Sequence, residues 1–128
     1  ELWRSDGTAA GTKLVKDIIP GSVGSNPYYL TAFDGKLFFA ADGAKGRELW
    51  SSDGTAAGTK IFKDIFPGPG RSNAKDLVVI GDELFFTAAD RVHEAVWRSD
   101  GTVEGTIKIF DKDTNRSVVP IGTVIALG

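Results

Sequence analysis

Residues 48–68 read ELWSSDGTAAGTKIFKDIFPG, and residues 1–21 read ELWRSDGTAAGTKLVKDIIPG. The strings are nearly the same, and Trp3, Trp50 and Trp97 recur at a step of 47 residues. Aligned without gaps, residues 1–47 and 48–94 agree at 24 of 47 positions, and a third copy keeps Trp97 to Thr102 and Gly105-Thr106. Leu37-Phe38-Phe39 returns as Leu84-Phe85-Phe86 at the same step. A period of this size marks propellers and solenoids, in which a small unit cannot hide its apolar surface until a neighbour stacks on it.

Each unit divides into four short segments bounded by turn residues. In the best-preserved copy these are Tyr28–Phe33, Lys36–Ala41, Arg47–Ser51 and Lys60–Ile65. Asp34-Gly35 between the first two supplies the positive φ angles of a tight hairpin. Asp42-Gly43 with Gly46, then Asp53-Gly54-Thr55 with Gly58, separate the others, and Pro67-Gly68 closes the unit. No long stretch has apolar residues at helical spacing without a Gly or Pro, so the chain reads as all-β. Leu37-Phe38-Phe39-Ala40-Ala41 is apolar on consecutive residues, which demands cover on both faces, as does Leu49-Trp50. Lys60 to Ile65 mixes charge with apolar residues, as a half-exposed edge strand does. Together these predict β-propeller-type blades of four antiparallel strands, A to D.

In that register, residues 1–22 are strands C and D of a partial blade. Residues 23–69 and 70–116 are complete blades, and 117–128 is the first strand of a further one. The ring is incomplete, because closed propellers use four to eight blades. Open ends leave uncovered apolar faces and unpaired edges, so self-association is expected. The third copy departs from the pattern. His93 stands in place of Gly46, Ala95 in place of Glu48, and Lys112-Asp113-Thr114-Asn115 in place of Ile-x-Pro-Gly, which puts its B–C and D–A loops in question.

The 128 residues are 41% apolar and 25% charged, a folded rather than a disordered composition. Fifteen basic residues against seventeen acidic give no charge excess to recruit nucleic acid. The apolar run Val118–Leu127 is far below the ~20 residues of a membrane span, so no membrane insertion is expected. Without cysteine there is no disulfide, zinc–thiolate site or thiol nucleophile. A chain that starts at Glu1 and has no Met is expected to belong to a longer product, with any targeting segment outside it.

The three ELW/AVW–xSDGTxxGT cores, two DIxPG tails and two LFF strands resemble the ELWxxDGT repeat family of large bacterial surface and secreted proteins, over essentially the whole chain. The resemblance implies a propeller-like array in an exported protein, secreted or at the cell surface. It implies little about activity.

Candidate chemistry is sparse. Asp6, Asp53 and Asp100, each followed by Gly and then Thr8, Thr55 or Thr102, read first as caps of their own turns. Calcium takes six to eight oxygens, and one carboxylate per loop is a thin supply. No cofactor is therefore expected, calcium stays open, and these three aspartates would be its ligands. The tryptophans read as packing between blades rather than sugar platforms. Tyr28 and Tyr29, at the start of an inner strand, are the better aromatic ligand candidates, and Asp53 and Thr55 are the polar ones. No catalytic residue is assigned. His93 lacks a marked nucleophile, and Lys13, Lys16, Lys60 and Lys63 read as solvated edge charges.

The expected function is a non-enzymatic structural or binding module that mediates extracellular protein or surface interactions or self-assembly. Its partners are neighbouring blades of a longer chain or further copies of itself. Two alternatives stay open: a carbohydrate-binding propeller with sites between blades, and a fragment of a propeller hydrolase using carboxylates at one mouth.

Overall fold

The computed structural model describes residues 1–110 and 115–116, and these are all-β, with no helix. Strands β1 (Leu2–Arg4) and β2 (Lys13–Lys16) form a two-stranded sheet. Strands β3 (Tyr28–Phe33), β4 (Lys36–Gly43), β5 (Gly46–Ser52) and β6 (Lys60–Lys63) form a four-stranded one. So do β7 (Lys75–Ile80), β8 (Glu83–Ala89), β9 (Glu94–Ser99) and β10 (Ile107–Lys108). Every pairing is antiparallel and joins consecutive strands, so each sheet is a meander. We call the portions at 1–22, 23–69 and 70–116 the first, second and third units. The further strand expected over 117–128 lies outside the described residues, as does the altered turn at 112–114.

Turn chemistry fixes the meander. Asp34 and Gly35 take φ of 49° and 68°, the mirror-image turn whose twist matches its strands, and Phe33 faces Lys36. The third unit reverses the order to Gly81-Asp82 and keeps the register, Ile80 facing Glu83. Its next loop also keeps length and register, with Ala89 facing Glu94 as Asp42 faces Arg47. There Asp90 Oδ1 accepts the Val92 and His93 N–H groups, where the second unit uses Gly43 and Gly46. Three strands of the second unit differ from expectation in their limits, β5 by one residue at each end. β4 runs on to Gly43, and β6 stops at Lys63 because the Ile65 N–H turns back to the Lys63 carbonyl.

Alternation within β4 and β5 sends Phe38, Ala40 and Leu49 to one face and Phe39, Ala41 and Trp50 to the other. The first set packs with Leu84, Phe86, Ala88 and Trp97 of the third unit. The second set packs with Leu2 and Val15 of the first. The middle sheet is thus covered on both sides, and Phe38, Phe39 and Leu49 have no exposed surface. Each such side chain contributes roughly 1.5–3 kcal/mol by leaving water. The same aromatic pair recurs at the repeat step: Phe39 stacks on Trp50 at 6.5 Å, and Phe86 on Trp97 at 6.3 Å. In both pairs the Trp faces the preceding unit, and this decides the fate of Trp3. Sequence reading expected all three tryptophans in the core, yet Trp3 is 59% exposed where Trp50 and Trp97 are 7%. Among the described residues nothing covers Trp3 as the first unit covers Trp50.

Candidate binding surfaces

The Asp-Gly-Thr loops follow β1, β5 and β9 and are built alike. Asp6 Oδ1 accepts the Thr8 N–H at 2.9 Å and the Thr8 hydroxyl at 2.7 Å, and Thr8 Oγ1 in turn accepts the Gly11 N–H. The Thr12 hydroxyl donates to the Thr8 carbonyl, so the proton between Ser5 and Thr12 comes from Ser5. The set Ser52, Asp53, Thr55, Gly58, Thr59 repeats these bonds, and so does Ser99, Asp100, Thr102, Gly105, Thr106. Gly58 is required by close approach: a Cβ there would sit 2.0 Å from Asp53 Oδ1. Hydrogen bonds from the threonine side chain and then its backbone hold all three aspartates below the usual carboxylate pKa. Each loop therefore keeps one carboxylate oxygen outside this network. No group of three His, Cys, Asp or Glu that would hold a metal occurs among the described residues.

The ligand candidates do not converge. Tyr28 pairs with Ala40 near the β4–β5 turn, whereas Asp53 and Thr55 follow Ser52, which pairs with Leu37 at the opposite end of the sheet. Tyr28 and Tyr29 are about half exposed, and the Arg47 guanidinium lies 5.0 Å from the Tyr28 ring centre. Arg47 also grips Asp42 through two hydrogen bonds of 3.2 and 2.9 Å, which lowers the Asp42 pKa. One unit later, Lys75 and Glu94 occupy the places of Tyr28 and Arg47 and form an ion pair at 3.0 Å. The two positions touch in both units by different chemistry, which is how a strand-to-strand brace behaves.

Two further devices went unread in the sequence. The first is the Glu of the ELW string. Glu1 accepts N–H groups from Ile18 at 2.5 Å and Ile19, and the Ser25 hydroxyl at 3.0 Å. Glu48, fully buried, accepts the Ser72 N–H at 3.0 Å. Each glutamate so pins the connector that leads to the next unit, whose Ser25 and Ser72 carbonyls take the Asp42 and Ala89 N–H groups. The two differ in charge economy. Burial pushes the Glu48 carboxyl up and its Oε2 accepts no hydrogen bond, whereas at Glu1 burial also opposes the charge but the Ile18, Ser25 and Ile19 donors together outweigh it and the pKa falls. A signal was present, since Ala95 replaces this Glu in the one copy that also lacks Ile-x-Pro-Gly.

The second device corrects the view of Lys16 and Lys63 as solvated edge charges. Lys16 Nζ donates to the Ala56 and Thr59 carbonyls at 3.3 and 2.8 Å. Lys63 Nζ donates to the Val103 and Thr106 carbonyls at 3.1 and 2.7 Å. Each lysine reaches into the Asp-Gly-Thr loop of the following unit. The position 47 residues beyond Lys63 is Phe110, which ends the series.

Both ends of the stack present apolar surface. Trp3 and Leu14 are exposed on the outer side of the first sheet. A groove of ≈ 510 Å³ on the last sheet is lined by Phe85, Ile107, Ile109 and Phe110 among others. Comparison with protein-family models, curated proteins and solved structures finds no match.

Proposed function

We propose that this chain is a run of blades from a β-propeller-type repeat array of an exported protein, and that it serves as a non-enzymatic scaffold and binding module. The reading is supported most by the middle sheet, whose two faces are buried against different neighbours, Phe38 and Leu49 on one side and Phe39 and Trp50 on the other. A sheet of this kind is stable only inside a stack, so its surfaces are for assembly. Partners are further blades or further copies, engaged through the exposed faces around Trp3 and Phe110. The ELWxxDGT resemblance supports a place outside the cell.

Light scattering of the full chain across concentrations tests the assembly claim. Association that weakens in Trp3→Asp and Phe110→Asp is expected, and a monomer at all concentrations refutes it. Exposed Tyr28 and Tyr29 beside the Arg47–Asp42 pair favour a second reading, glycan binding at the β4–β5 end of the sheet. Binding to a glycan panel that Tyr28→Ala and Tyr29→Ala abolish would establish it.

A further inference from the structure

We infer that the outer side of the first sheet is a docking face for one kind of partner: another 47-residue unit with a lysine at the Lys16/Lys63 position. This rests on the stacked-array reading and narrows it. The two junctions between units repeat the same parts. Trp50 and Ile61 of the second unit turn toward the first, which covers them with Leu2, Val15 and Ile18 and sends Lys16 to the Ala56 and Thr59 carbonyls. Trp97 of the third unit turns toward the second, which covers it with Phe38 and Leu49 and sends Lys63 to the Val103 and Thr106 carbonyls.

The first unit offers the same parts in the same places. Trp3 and Leu14 occupy the positions of Trp50 and Ile61, and both are exposed, at 59% and 43%. Ala9 and Thr12 supply the carbonyls that match Ala56 and Thr59, and their loop carries the same internal hydrogen bonds as the two stapled loops. Two carbonyl oxygens converging at 2.7–3.3 Å suit a primary ammonium, which donates several hydrogen bonds from one point. The face is thus an apolar seat with an ammonium receptor at its rim.

The last sheet of a second copy can cover the apolar part of this seat but leaves its ammonium receptor empty, so copies associate more weakly than a lysine-bearing unit docks. It presents Phe110 where the lysine belongs, and its Lys108 is already paired with Asp90 beside the Phe110 ring. A lysine-bearing unit fits, and this chain's own far end lacks the ammonium.

The test places a copy of residues 48–94 ahead of Glu1 in the full chain, with the copy's own front-facing Trp changed to Ser. Acrylamide quenching of tryptophan emission should fall several-fold as Trp3 is covered. Changing the copied lysine to Met should leave Trp3 protected and lower the thermal midpoint by about 2–4 °C in a chain of this size. A Trp3 that stays quenchable overturns the stacked-array reading and this inference with it. A protected Trp3 with no midpoint change on Lys→Met leaves stacking standing and overturns the ammonium receptor.

Discussion

The second and third units share a meander, a register and an aromatic pair, and they differ in what finishes each of them. In the second, Glu48 is buried against the connector and Lys63 reaches the next loop. In the third, Ala95 and Phe110 stand at those positions. The Tyr28–Arg47 contact of one becomes the Lys75–Glu94 pair of the other. Gly43 gives way to Asp90, which caps its loop and pairs with Lys108. Positions that hold a sheet together keep touching while their chemistry changes. Positions that serve the following unit disappear together. The devices for joining units are therefore separable from those that build one.

The largest effect should separate the covered face from the open one. Phe38→Ala removes a fully buried ring and should cost ~3–5 kcal/mol in urea unfolding. Its counterpart Phe85, half-buried on the outer face, should cost about 1 kcal/mol or less. Equal costs would mean that the outer face is as well covered as the inner.

The two glutamates should respond to amidation with opposite signs. Glu48 has its pKa raised in the fold, so it favours folding below the unfolded value of 4.5 and opposes it as pH rises through the folded pKa. Glu48→Gln should stabilise the neutral-pH protein by about 1 kcal/mol, with the gain fading in acid. Glu1 has a lowered pKa and contributes above 4.5, so Glu1→Gln should destabilise at pH 7 and become neutral as the pH falls through the folded value. Thermal midpoints measured from pH 3 to pH 8 check both.

Thr59→Val should cost ~1–2 kcal/mol, since a buried hydroxyl that serves Ser52 and the Thr55 carbonyl is lost. The exposed Thr12 makes the same bonds beside water, and its replacement should cost less than half as much.

A pH effect confined to the third unit should come from Asp90. Burial opposes its charge, but the Lys108 ammonium and the Val92 and His93 N–H groups pull its pKa from 3.8 down to about 2. Its stabilisation is complete above 3.8 and is lost as pH falls through about 2. Hydrogen exchange between pH 4 and 2 should loosen the 90–93 loop before the β4–β5 turn, and Asp90→Asn should remove the difference. The smallest effect should follow the exchange of Lys75 and Glu94 for Tyr and Arg, within ~0.5 kcal/mol, because an exposed pair is replaced by another contact of similar worth.

The fold was legible because turn residues and apolar doublets recur at a fixed step. Asp34-Gly35 specifies a hairpin by backbone geometry alone, and Phe38-Phe39 demands two covered faces wherever it occurs. The all-β antiparallel sheets follow from these local facts. Trp3 was misread because burial is supplied by a neighbour: the same residue in the same string is core in one unit and surface in another. Lys16 and Lys63 were misread because a charged residue on an edge strand has the same composition whether it meets water or a carbonyl. Only the loop of the next unit, more than forty residues on, settles which. Tyr28 and Asp53 were separable in principle, since in a meander the start of the first strand and the end of the third lie at opposite ends of the sheet, and the observed pairings place them so.

The contacts between sheets described above never skip a unit, and this governs how the molecule comes apart. Cohesion passes from one sheet to the next as in a row of coins, so loosening should start at the thin end, where β1 and β2 have a single partner strand each, and travel inward. Lengthening the row by another 47 residues would rewrite no existing contact, and it would move the fraying edge one place further out.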